Sequence, residues 1–399
     1  MQAVIVSFDS LAATSLGCFG NEWVETPHWD RLAATGAVFD NHFADTVGPL
    51  AGLAWASGQH TLSPDSTRQK ISLGSFLKSH GVASRLVAAG SIQDWQQHIQ
   101  FDHTQRVSGQ DGFGAKPDQT PFAQVVKSAI ATQAEESKDS ANSLLWLHAP
   151  GPGMPPEGFD VLYFEDFDER GQQTAELTDE QRARHPAVYA GSVSLMDYWL
   201  GELLQHVQGQ IADEPLLVIV TAARGDYWQH INPSRLNESN VSSERLGDQV
   251  ARTPLVLRVQ GDRRFDEIVC LRSSRLVQAH HLVPTLLDWF HVPVPAAATN
   301  VGQTDFAGQS LLRELTEEAP ARTHLWYGDE GSFTAVRTQE WLCIRNQGIE
   351  RVNDPATENE PSEISLYVKP EDSWDINNIA SQQPEVIADL LSRLPVLER

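Results

Sequence analysis

Side chains able to carry charge or move protons gather at the ends of three apolar runs. Ala3-Val4-Ile5-Val6-Ser7-Phe8 stops at Asp9-Ser10, and Leu216-Leu217-Val218-Ile219-Val220-Thr221 stops at Ala222-Ala223-Arg224-Gly225-Asp226. Ser143-Leu144-Leu145-Trp146-Leu147 stops at His148, and His230 follows shortly after Asp226. Carboxylates in such places accept hydrogen bonds, act as general bases or ligate a cation, and a guanidinium clamps anions. Thr46 and Ser10 add hydroxyls, which are poor nucleophiles at neutral pH unless a base or a metal activates them. No H-x-H or H-E-x-x-H spacing occurs. Cys18, Cys270 and Cys343 lie far apart, so neither a zinc site nor a disulfide framework is indicated.

The elements that must position these groups follow from the pattern. Each run is apolar, rich in β-branched residues and too short for a typical helix, which reads as a buried strand. In open α/β sheets ligands bind beyond the carboxyl ends of such strands, which makes Asp9 the centre of any chemistry. Helices are predicted at Thr26 to Gly36, Leu73 to His80, Thr120 to Glu136, Ala187 to Val207 and Leu276 to Phe290, and further strands at Ser84 to Ala89 and Pro254 to Val259. Thr46 to Gly58 reads as a turn into a small-residue helix that aims free backbone N–H groups beyond its start. The Pro/Gly-rich run from Ala149 opens a long loop, and His148, Asp226 and His230 are placed near the mouth of the cleft.

From Thr323 onward the pattern changes to short strands at Thr323 to Tyr327, Thr334 to Arg337, Trp341 to Asn346 and Ile364 to Val368, closed by a helix at Pro384 to Leu394. The reading is an α/β fold: a mostly parallel central sheet with helices on both faces, plus a small C-terminal antiparallel sheet with a helix. The expected domains are residues 1–310 and 311–399, joined through the Pro/Ala/Gly-rich stretch Val292 to Gly308. Asn353 to Glu363 is expected to be an exposed loop.

The chain has 399 residues, 41% hydrophobic content and a formal net charge of −24. That length supports a large core. The acidic balance argues against nucleic acid or an anionic membrane as partner, because binding phosphates needs clustered cations. No basic leader with an apolar core precedes the first strand, and no stretch is long enough to span a bilayer, so a cytoplasmic protein is expected.

Taken in order, several segments resemble the sulfatase family of the alkaline phosphatase superfamily. They are Phe8-Asp9-Ser10-Leu11, Leu16-Gly17-Cys18-Phe19-Gly20, Thr26-Pro27-His28-Trp29-Asp30-Arg31-Leu32-Ala33 and Gly36-Ala37-Val38-Phe39. Later come Leu217-Val218-Ile219-Val220-Thr221 with Arg224-Gly225-Asp226, then Arg252-Thr253-Pro254-Leu255, His281-Leu282-Val283-Pro284-Thr285 and Trp374-Asp375-Ile376-Asn377. The resemblance implies the alkaline phosphatase/sulfatase-like fold for nearly the whole chain.

The family's chemistry can be compared residue by residue. Sulfatases carry a Cys or Ser in a C/S-x-P-x-R motif, converted to formylglycine, and the corresponding segment here is Thr46-Val47-Gly48-Pro49-Leu50-Ala51-Gly52. The family's two pairs of metal ligands fall on Asp9-Ser10 and Ala223-Arg224, so of the four ligand types only Asp9 is retained. The Lys and His that bind sulfate fall on Ala88-Ala89-Gly90-Ser91, and the His of the loop after the middle strand falls within Ala149 to Gly153. A further family Lys has only Arg245 as a stand-in.

Arg224, in the place of a metal ligand, is expected either to project into that site and neutralise Asp9 or to point to solvent. Thr46 lies near the position of the threonine nucleophile in other branches of the superfamily, but those enzymes activate it with two metals, and a helix-capping role is favoured here. Two functions remain. One is a sulfatase-like protein that has lost sulfuric ester hydrolysis and serves in binding or regulation, taking a small anionic ligand or an active sulfatase relative as partner. The other is a divergent sulfate- or phosphate-ester hydrolase with a non-standard nucleophile. No cofactor is expected under the first reading, and a divalent metal such as calcium only under the second.

Overall fold

The computed structural model describes residues 1–62, 72–112, 114–136, 142–156, 158–159, 163, 186–210, 214–226, 247–293, 308–316, 320–329, 333–346 and 364–394. His230, Arg245, the expected connection around residues 294–307 and the expected loop at 353–363 lie outside them.

Twelve strands are described: β1 (Gln2–Ser10), β2 (Ala37–Phe43), β3 (Val82–Ala88), β4 (His103–Arg106), β5 (Asn142–Ala149), β6 (Leu216–Arg224), β7 (Leu255–Gln260), β8 (Leu271–Gln278), β9 (Leu325–Asp329), β10 (Phe333–Arg337), β11 (Trp341–Asn346) and β12 (Ile364–Val368). The described helices are α1 (Pro27–Ala34), α2 (Ala54–Ser57), α3 (Leu73–Ser79), α4 (Asp94–Ile99), α5 (Pro121–Glu136), α6 (Pro186–Gln210), α7 (Asp248–Ala251), α8 (Leu282–Trp289), α9 (Leu311–Leu315) and α10 (Pro384–Ser392).

The large sheet has the order β4-β3-β5-β1-β6-β7-β2-β8. Its pairings are parallel except those of β7 with β6 and with β2. β1 lies between β5 and β6 in matching register, Val4 opposite both Leu145 and Val218. Side chains alternate across a strand, so Val4, Val6 and Phe8 enter one core with α5 and α6, while Ala3 and Ile5 enter the other with α2, α3, α4 and α8. Burial on both faces explains the continuous apolar composition of β1, β5 and β6.

The small sheet is an antiparallel meander, β12-β11-β10-β9, backed by α10. It joins the large sheet through a core in which Phe43, Ala251 and Leu276 meet Leu325, Tyr327 and Phe333. An ion cluster seals the same junction. Arg337 Nε donates to Asp248 Oδ2 at 2.9 Å, Lys369 Nζ lies 3.5 Å from that oxygen, and Lys369 also pairs with Asp375.

Two expectations are corrected. The helix expected over Leu276 to Phe290 begins only at Leu282, because Leu271–Gln278 forms an edge strand beside β2 whose outer half is polar and exposed. The helix expected after Thr46 is a single turn, Ala54–Ser57, preceded by successive turns. The helix Leu311–Leu315 buries Leu311 and Leu312 in the core of the large sheet, and the Leu311 N–H donates to Thr285 Oγ1 at 2.8 Å. Among the described residues no helix is long and apolar enough to cross a membrane.

Candidate functional site

The site begins with strand alternation. Ser7 and Asp9 share one face of β1, Trp146 and His148 share the same face of β5, and Ser7 is in register with His148. The four side chains form a hydrogen-bonded file. Trp146 Nε1–H donates to Ser7 Oγ at 2.8 Å, Ser7 Oγ is 2.9 Å from His148 Nδ1, and His148 Nε2 is 3.0 Å from Asp9 Oδ1. The Nε2–H of His148 donates to the carboxylate, and the Ser7 hydroxyl, which accepts from Trp146, has both His148 Nδ1 and the Leu147 carbonyl at 3.4 Å within reach.

Ser7 is fully buried and His148 nearly so, whereas the Asp9 side chain is 32% exposed. Asp9 is therefore the group that this file presents to solvent at the carboxyl end of the sheet, and Ser7 lies behind the histidine, out of reach of a ligand. Gln93 extends its amide toward Asp9 Oδ2 at 3.5 Å, the outer limit of a hydrogen bond. Trp95 covers His148 edge-on at 5.0 Å and meets Trp55 at 5.1 Å.

The remaining cleft residues lie on the opposite face. Ser10 is in register with Arg224, so both point away from the Asp9 side, and it is Ala223 that lies beside Asp9 on β6. Arg224 is exposed, and among the described residues no ion pair joins it to Asp9. Neutralisation of Asp9 by Arg224 is thus corrected by the parity of the strand. Ser10 Oγ donates to Asp226 Oδ2 at 3.3 Å, which ties the two strand ends together. The backbone of Gly151 lies so close to Ser10 that a Cβ there would collide with the Ser10 carbonyl, which accounts for the glycine.

Thr46 is buried and bridges to Gly328 of β9, and its Oγ1 accepts the Gly48 N–H at 3.3 Å. It caps no helix, since Leu53 precedes the single turn of α2. Thr46 follows β2, which is separated from β1 by β6 and β7 on the same edge of the sheet. The structure therefore groups Asp9 with His148 and Ser10 with Asp226, holds Thr46 in the seam with the small sheet, and leaves Arg224 exposed.

A calcium ion would need six to eight oxygen ligands, usually several of them carboxylates. The described residues do not fit one: Asp9 meets two N–H donors, its neighbour on β6 is an alanine, and no three His, Cys, Asp or Glu side chains among the described residues are grouped to hold a metal.

Composition and motif alone single out neither Ser7 nor Trp146. Their signal was the matched spacing, Ser7 with Asp9 and Trp146 with His148, each two apart on a strand.

A sequence profile of the family described as Sulfatase matches residues 2–292. An arylsulfatase of Clostridium perfringens (strain 13 / Type A) is 19% identical over 454 residues, covering 92% of this chain and 90% of the relative. Among solved structures, the phosphonate monoester hydrolase of Agrobacterium radiobacter superposes with a TM-score of 0.69 at 16% identity, covering 99% of this chain and 95% of that one. The phosphonate monoester hydrolase from Silicibacter pomeroyi superposes with a TM-score of 0.67 at 16% identity, covering 98% and 92%.

Proposed function

This chain belongs to the sulfatase family, and on that premise we propose that it is a sulfatase-like binding or regulatory protein that no longer hydrolyses sulfuric esters. The observation that carries this reading is the engagement of Asp9: the carboxylate at the family's metal-ligand position is occupied by the Nε2–H of His148 and faced by the Gln93 amide. Covalent catalysis would need an activated nucleophile, and Thr46 is committed to the seam between the sheets. Electrostatic catalysis would need fixed cations at the reacting group, and Arg224 stands on the other face from Asp9.

A small anionic ligand is the partner this reading favours, its charge met by exposed Arg224 on a face separate from Asp9. An active sulfatase relative is the alternative partner. A divergent hydrolase has one observation in its favour, because a carboxylate oriented by an imidazole is the arrangement of a general base. The two readings separate in one experiment. The purified chain is incubated with aryl sulfate, phosphate diester and phosphonate monoester substrates, each with calcium, magnesium, manganese or zinc, beside an Asp9→Ala variant. The expected outcome is no turnover above the variant and no thermal shift on metal addition. Turnover that Asp9→Ala abolishes would establish the hydrolase instead.

A further inference from the structure

Away from the Asp9 cleft, the seam between the two sheets holds a cluster of ionisable groups that no step above uses. His42 at the end of β2, Asp45 just beyond it, His60 after α2, and His280 and His281 after β8 are all buried. His280 Nδ1–H donates to Asp45 at 3.0 Å, and the other carboxylate oxygen accepts the Thr61 N–H at 3.0 Å. Asp45 thereby ties both ends of the segment 46–60. His60 accepts the Leu62 N–H on Nδ1 at 3.2 Å and donates Nε2–H to the Trp326 carbonyl of β9 at 2.9 Å, with its ring stacked 3.8 Å from the Trp326 ring. His42 shares a 2.6 Å hydrogen bond with Thr253.

Asp45 is the one carboxylate among these five residues, and the geometry offers its histidines few acceptors for a second proton. His280 Nε2 and both ring nitrogens of His281 are buried without a hydrogen-bond partner among the described residues, so a proton added there finds no acceptor. Among the described residues Asp45 and Arg322 face the histidines and Asp329 of β9 lies against Gly48 of the held segment; Arg322 opposes a positive charge on His60, His280 and His281. Burial pushes His42 and His60 down to about 4, and His280 and His281 also lie below the ordinary histidine range. Once exposed, each would titrate near its ordinary value of about 6.5.

The segment so held leads to the cleft. Gly52 packs against Trp95, Trp55 meets Trp95 edge-on, and Trp95 covers the His148 that orients Asp9. We propose that His42, His60, His280, His281 and Asp45 form an acid-operated clasp, which holds residues 46–60 on the small sheet when neutral and releases them from the wall of the Asp9 cleft when protonated. Release exposes histidines that take up protons, so each one freed makes opening up to about tenfold more favourable per unit fall in pH between the exposed and the buried values.

Hydrogen–deuterium exchange of the full chain between about pH 7.5 and about pH 5, corrected for intrinsic exchange, tests this across the range in which exposed histidines titrate. Peptides covering 44–62 are expected to lose protection steeply as pH falls, while those of β1 and β6 keep theirs. In His60→Gln and His280→Asn, whose side-chain amides reproduce the Nε2–H and Nδ1–H donors, the steepness is expected to fall by up to about tenfold per pH unit each. The clasp is refuted if 44–62 stays protected throughout, if it opens only together with β1 and β6, or if a folded variant keeps the full steepness. Should neither variant fold, the unmodified chain decides by the first two outcomes.

Discussion

His148 and Asp9 come from adjacent strands and meet at 3.0 Å, with the histidine buried and the aspartate at the cleft. Behind the histidine, Ser7 and Trp146 hold the ring in place through hydrogen bonds that nothing in the cleft touches. What a ligand meets at Asp9 is thus set two side chains deeper in the sheet.

Ser7→Ala removes the middle of that file. Trp146 Nε1–H and His148 Nδ1 would both lose their partner in a buried place, and an unsatisfied buried polar group costs about 1–3 kcal/mol. Urea unfolding is expected to show a loss in that range with an unchanged slope against denaturant. A neutral result would mean that the file adds nothing to stability.

The junction of the two sheets depends on an ion pair with little access to water. Arg337→Met would leave Asp248 buried without the 2.9 Å bond from Nε, an expected loss of about 3–5 kcal/mol. Arg264→Met, which removes an exposed partner of Asp262, is expected to cost no more than about 1 kcal/mol. Thermal unfolding of the two variants side by side checks the ordering.

Global stability should fall on mild acidification. His42 and His60 bind a proton near 4 in the folded chain and near 6.5 in the unfolded chain, so between those values the unfolded state holds more protons. Their contribution is complete above about pH 6.5, declines as pH drops toward about 4, and each histidine adds a slope of up to about 1.4 kcal/mol per pH unit. Urea midpoints measured over this range should be flat at the alkaline end and descend at the acid end.

Thiol chemistry should single out one cysteine. Burial pushes Cys18 up to about 12 and Cys343 up to about 11, whereas Cys270 is exposed. A thiolate-specific reagent near neutral pH is expected to modify Cys270 in the folded chain and all three after denaturation.

Much of the architecture was legible because its physical causes are local. The double-sided burial of β1, β5 and β6 leaves uninterrupted apolar runs, and the meander β9 to β12 is marked by turns between short strands. The edge strands were harder. β4 (His103–Arg106) is exposed along its whole length and carries no apolar signature, and the outer half of β8 reads Leu271-Arg272-Ser273-Ser274-Arg275. At the site, Asp9 was visible as the acid ending a buried strand. The separation of Arg224 from Asp9 was not, because it depends on the register between β1 and β6, which only the folded sheet fixes. Thr46 misled for a related reason: its hydroxyl suits a cap, but the bridge to Gly328 claims it before any helix starts.

That bridge also changes the standing of the last part of the chain. Since β9 clasps Thr46 and supplies the carbonyl that receives His60, a polypeptide ending before Leu325 would lack more than an appendix. It would lose the abutment on which residues 46–60 rest, and with it the backing of Trp55, which braces the Trp95 that covers His148. Synthesis only as far as residue 324 leaves this cleft unfinished, and its completion waits for the tail to arrive.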